Sequence, residues 1–146
     1  NEIIQRKYIH SILLCSLKEI EINMPSTIDI GIITQIDYKK NYAEFESYPE
    51  ELKLYNCISI EDEELSDLID ETFEQKLPVS YCTVDNEADS GIDACGVTLM
   101  APASIRKLID ILQSNIYYSK TTWYSALYEK CKNAFDKNLY MIFFGV

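Results

Sequence analysis

The run Leu139-Tyr140-Met141-Ile142-Phe143-Phe144-Gly145-Val146 contains no charged side chain and is built mostly from large apolar residues. As a bare edge it would pair with other chains, and unpaired it would fray, so it calls for a place inside a sheet. The whole chain is 146 residues, enough to bury such a strand in one domain without metal or disulfide staples. Four glycines and four prolines leave little material for a flexible linker, which predicts a single domain over 1–146.

Periodicity supplies the other elements. Ile4, Tyr8, Ile12 and Cys15 share a helical face in the opening segment, Asn1 to about Ser16. Thr27 to Asp37 is β-branched and partly alternating, which predicts a strand. Lys39-Lys40-Asn41 reads as a turn, and Tyr42, Glu44, Glu46 and Tyr48 as a second strand returning in a hairpin. Ser59 with Asp62 resembles a capping box, placing Glu61, Asp62, Glu63 and Glu64 in a helical first turn that the helix dipole favours. Leu65, Leu68, Ile69 and Phe73 then form that helix's buried stripe, and Pro78 ends the unit. Strands are expected over 79–84 and 95–100, with a polar acidic loop, 85–93, between them. Pro102 suits the first turn of a helix that turns Ile105, Leu108, Ile109 and Leu112 inward. A last helix, about Thr121 to Asp136, aligns Trp123, Leu127, Cys131 and Phe135. Helices and strands mix without strict βαβ alternation, so the expected fold is α+β, a mixed or antiparallel sheet with about four helices.

The five cysteines are odd in number, widely spaced and free of any C-x-x-C, which argues against a disulfide scaffold or zinc site and for small buried hydrophobes in a reducing compartment. The apolar stretch Ile3–Leu17 is broken by Gln5, Arg6, Lys7 and His10 and reads as neither a leader's hydrophobic region nor a membrane span. The expected location is the cytoplasm.

Motifs for catalysis are sparse. The single histidine, His10, has no nucleophile beside it, and no phosphate-binding glycine loop or hydrolase elbow occurs. Asp85, Glu87, Asp89 and Asp93 resemble the start of a calcium loop, but Ser90 stands where glycine is required and Gly96 where the bidentate glutamate belongs. With carboxylates this abundant, any two would pass as a glycosidase pair, so spacing carries no information. The expectation is no enzyme, no catalytic residue, no metal and no cofactor.

Charge is more informative. Sixteen acidic residues face only Lys53 and Lys76 between Glu44 and Asp93, a local net of −14 within a chain of −11. Such a surface repels phosphate backbones and anionic membranes and steers basic proteins toward it. The residues expected to bind a partner are Glu61, Asp62, Glu63, Glu64, Asp67, Asp70 and Glu71 on the helix, with Asp85, Glu87, Asp89 and Asp93 on the loop. If both elements share one side, Tyr42, Phe45, Tyr48, Tyr55 and Tyr81 would interleave with them as aromatic anchors.

Three passages carry a resemblance: Ile28-Asp29-Ile30-Gly31-Ile32-Ile33-Thr34, Gly96-Val97-Thr98-Leu99-Met100-Ala101-Pro102, and Phe143-Phe144-Gly145-Val146. In these the chain resembles the small bacterial immunity proteins of polymorphic toxin systems, including contact-dependent growth inhibition. The resemblance implies a cytoplasmic inhibitor that occludes one cognate toxin, often a nuclease with a basic cleft, and brings no catalytic residue with it. Two alternatives stand beside it: a carboxylate-dependent or metal-binding enzyme, and a non-catalytic regulatory subunit of a larger complex.

Overall fold

The computed structural model describes residues 26–45, 47–84 and 89–145. In chain order the elements are β1 (Thr27–Ile33), α1 (Tyr48–Leu54), β2 (Ile58–Glu61), α2 (Ser66–Glu74), β3 (Pro78–Tyr81), β4 (Asp89–Ser90), β5 (Val97–Met100), α3 (Pro102–Ser114), α4 (Tyr124–Asp136) and β6 (Tyr140–Phe144). A short 3₁₀ turn, Tyr118–Lys120, links α3 to α4. The strands form one sheet in the order β2-β1-β6-β5-β3-β4, with every neighbouring pair antiparallel. The fold is α+β.

The apolar run after Leu139 is the sheet's interior. β6 pairs with β1 from Asp29↔Phe144 to Ile33↔Tyr140, and with β5 from Val97↔Phe144 to Met100↔Met141. Phe143 and Phe144 are both buried, on opposite faces, because successive strand residues alternate. Each such burial stabilises by roughly 1.5–3 kcal/mol. A one-residue slip of β6 would exchange its two apolar sets, so the register is held from both sides.

That alternation makes three layers. On one face Ile28, Ile30, Ile60, Val79, Met100, Met141 and Phe143 pack with α2, α3 and α4 through Leu68, Ile105, Leu108, Leu112, Leu127 and Cys131. On the other, Ile33, Val97, Leu99, Ile142 and Phe144 lie beneath Tyr42 and Tyr55, with Phe45, Tyr48 and Leu52 packed alongside. Gly31 belongs to this second face. A Cβ there would stand 2.6 Å from the Tyr55 Cβ and 2.8 Å from its carbonyl oxygen, so only glycine lets the segment after α1 lie flat on the sheet.

The helix beginning at Pro102 buries the residues expected of it; the one ending at Asp136 buries Leu127 and Cys131, with Phe135 only partly buried, and Trp123 is buried just ahead of it. Three expectations fail. No hairpin strand runs from Tyr42 to Tyr48: 42–45 is irregular and Tyr48 opens α1, with Pro49 in its first turn. Tyr42, Phe45 and Tyr48 recur every third residue, and all three are drawn onto the second face, the last two as ring partners of Phe144. Ser59 is no helix cap: it lies in β2 opposite Asp29 and donates its hydroxyl to that carboxylate. Consequently Glu61, Asp62, Glu63 and Glu64 precede α2 instead of forming its first turn. The first strand also stops at Ile33, short of Asp37. The expected helix before Ser16, with His10 and Cys15, lies outside the described residues. Among the described residues no helix is long and apolar enough to cross a membrane.

Candidate functional site

The acidic segment folds as a turn followed by a short helix. Glu61 closes β2, and the N–H of Leu65 donates back to the carbonyls of Glu61 and Asp62, leaving Glu63 and Glu64 exposed at the bend. The Asp62 N–H donates to the Ser26 carbonyl at 2.9 Å, tying the bend to the start of β1. Within α2, Asp67, Asp70, Glu71 and Glu74 follow the three-and-four spacing of one helical stripe, while Leu65, Leu68, Ile69 and Thr72 occupy the opposite, buried side. Asp67, Asp70 and Glu74 are exposed and Glu71 is partly buried.

This placement is costly to the helix. Like charges at such spacing destabilise by about 0.2–0.5 kcal/mol a pair. Only Asp67 lies in the first turn, where the dipole favours an anion; Glu71 and Glu74 fall near the end that favours cations, and no basic residue occupies the last turn. Nor is the charge answered nearby. The ion pairs among the described residues are Lys40–Glu51, Lys53–Glu50 and Arg106–Asp110, none of which involves residues 61–74. Burial, and then the neighbouring Glu74 charge, raise the Glu71 pKa against a hydrogen bond from Tyr118, and Glu71 Oε2 is buried without a hydrogen-bond partner.

The expected loop site divides. Asp85 and Glu87 lie outside the described residues. Asp89 is buried in β4 opposite Val79. Asp93 is partly buried, with Oδ1 accepting the Cys95 N–H at 2.9 Å while its own N–H donates to Thr98 Oγ1. Both carboxylates turn into the fold. The base of the loop nevertheless docks on α2: the Gly91 N–H donates to the Leu77 carbonyl, and the Ile92 N–H donates to Thr72 Oγ1 at 3.0 Å. Gly91 has φ +82°, and a Cβ there would sit 2.4 Å from the Phe73 ring. Helix and loop base therefore share one side of the sheet. Among the described residues no group of three or more His, Cys, Asp or Glu side chains is placed to hold a metal.

The tyrosines do not interleave with the acidic stripe. Tyr42 and Tyr55 are buried and Phe45 and Tyr48 packed on the far face, with the sheet between them and α2. Tyr81 is held by donating its hydroxyl to the carbonyls of Ser90 and Gly91. Buried Asp29 accepts from both Tyr48 and Ser59. Burial, and then Asp29, push the adjacent Cys57 thiol up to about 12, far from a reactive thiolate. Cys131 is fully buried, and burial raises its thiol to about 12 as well. Cys95, by contrast, is disulfide-bonded, so the reading of all five cysteines as reduced does not hold.

A cleft of about 670 Å³ that the sequence reading did not anticipate opens where β1 gives way to the 34–40 turn, walled by Tyr38, Tyr42, Leu54 and Tyr55. Lys40 spans it, its ammonium 5.1 Å from the Tyr42 ring centre, 3.3 Å from the Tyr55 hydroxyl and 3.5 Å from Glu51. Its one sequence signal was Tyr38-Lys39-Lys40, which reads equally well as a solvated turn.

No protein family, curated protein or solved structure matches the chain. The three passages that resemble immunity proteins map mainly onto β1, β5 and β6, adjacent strands at the centre of the sheet. They are framework, and the resemblance reaches none of the exposed carboxylates.

Proposed function

We propose that this chain is a non-catalytic binding inhibitor whose acidic α2 face docks a basic protein. One observation carries the reading: Asp67, Asp70 and Glu74 form an exposed stripe opposite the buried face of α2, unanswered by any cation among the described residues and in part set against the helix dipole. Charge that works against its own helix is accounted for when a cationic partner supplies the missing attraction. Glu61, Glu63 and Glu64 extend the stripe around the bend, while Asp89 and Asp93 support the adjoining loop from within. The partner class that suits this face is a toxin domain with a basic cleft, neutralised by occlusion, as the immunity-protein resemblance implies. Nucleic acid and anionic membranes would be repelled.

The test is recovery of partners from native lysate by wild-type protein and by the Asp67→Asn, Asp70→Asn, Glu74→Gln variant, each binder then being purified and its affinity measured at low and high salt. A basic protein bound by wild type, weakened roughly tenfold or more by the three substitutions and by salt, supports the proposal. Equal affinity for both forms contradicts it. The carboxylate-enzyme alternative predicts instead a thermal shift with Ca²⁺, Mg²⁺ or Mn²⁺.

A further inference from the structure

The cleft beyond β1 lies on a different part of the molecule and has its own chemistry. Its volume, about 670 Å³, falls in the roughly 300–1,000 Å³ range of small-molecule sites. Two of the large hydrophobic side chains that the fold leaves exposed stand on it, Tyr38 at 65% and Leu54 at 67%, while the buried Tyr42 and Tyr55 form its inner wall. Its walls therefore offer aromatic and aliphatic surface to a planar, apolar body.

The polar groups decide the ligand's charge. Asp37 Oδ1 already accepts the Lys39 N–H, and Glu51 already faces Lys40. The donors are less committed. Among the described residues the backbone amides of Thr34, Gln35 and Ile36 make no hydrogen bond, and the exposed Lys39 ammonium makes no ion pair. A cation entering here would meet the unpaired Lys39 ammonium, with Glu51 already engaged by Lys40 and Asp37 by the Lys39 N–H. An anion would meet free donors. The chain's net charge of −11 opposes an anion from afar, but screening over about 8 Å at physiological salt leaves the local groups to decide, where Lys40 is matched by Glu51 and the Lys39 ammonium and the amides are the donors left over.

We propose that this cleft binds a small aromatic carboxylate, its ring against Tyr38, Leu54 and Tyr55 and its carboxylate on Lys39 and the amides of residues 34–36. The test is an amide-resolved NMR titration of the whole chain with three probes of one shape: phenylacetate, 2-phenylethanol and phenethylamine. Phenylacetate saturably shifts the Thr34, Gln35, Ile36 and Lys39 signals. The neutral alcohol binds more weakly, by roughly the three- to fivefold of one exposed ion pair, and the amine more weakly still. Lys39→Gln, a change at an exposed side chain, brings phenylacetate down to the level of the alcohol and leaves the alcohol unchanged. No saturable phenylacetate shift overturns the site; an amine or alcohol that binds as tightly, or a Lys39→Gln variant that binds phenylacetate undiminished, overturns the assignment of charge.

Discussion

The Ile92 N–H donates to Thr72 Oγ1 across 3.0 Å, joining the end of the acidic loop to the buried side of the acidic helix. Thr72 is fully buried, and its hydroxyl also donates to the Ile69 carbonyl at 2.6 Å. Thr72→Val keeps the shape but leaves the Ile92 donor unmatched, and is expected to cost about 1–3 kcal/mol, with Thr72→Ser costing less. Urea denaturation of the three proteins checks the order.

Gly91→Ala should loosen the same junction. At φ +82° an alanine is strained before any contact is considered, and its methyl would enter the Phe73 ring. A loss of at least about 1–2 kcal/mol is expected, together with faster amide exchange at Gly91 and Ile92.

Glu71 makes stability fall as pH rises. Burial and the Glu74 charge lift its folded pKa above the unfolded value of 4.5, so in that interval the folded state holds more protons. Its contribution is complete below the unfolded pKa and is lost as pH climbs through the folded one. Glu71→Gln keeps a neutral side chain beside Tyr118, and should raise stability at neutral pH and flatten the acid-side slope. Melting curves across the acid range measure both.

Asp70→Asn with Glu74→Gln should stabilise the free protein while weakening its binding. The pair relieves three like-charge contacts along α2, worth about 0.6–1.5 kcal/mol together, and removes charge from the anion-disfavouring end. A higher melting temperature in the variant would mean that lost binding is not lost folding.

How much of this was legible in the sequence depended on whether local pattern and distant contact agreed. Ile105, Leu108, Ile109 and Leu112 repeat at helical spacing and face a sheet, so local and global demands coincide in α3. The uncharged run after Leu139 admitted only an interior strand. Ser59 misled because Ser-x-x-Asp satisfies a cap locally, while the partner its hydroxyl takes, Asp29, lies thirty residues away. Tyr42, Phe45 and Tyr48 misled for the same reason, since their spacing answers to Phe144 and not to a neighbouring strand. At the acidic site, composition identified Asp67 and Asp70 as surface charge but could not separate them from Asp89 and Asp93, whose burial is decided by β4 and by Thr98.

Amide hydrogen exchange on a purified complex with the captured basic protein tests the central claim most directly. The account predicts new protection over residues 61–74, strongest at the exposed turn and along α2, and little change over 34–40. Protection elsewhere with 61–74 exchanging as in the free chain would contradict it.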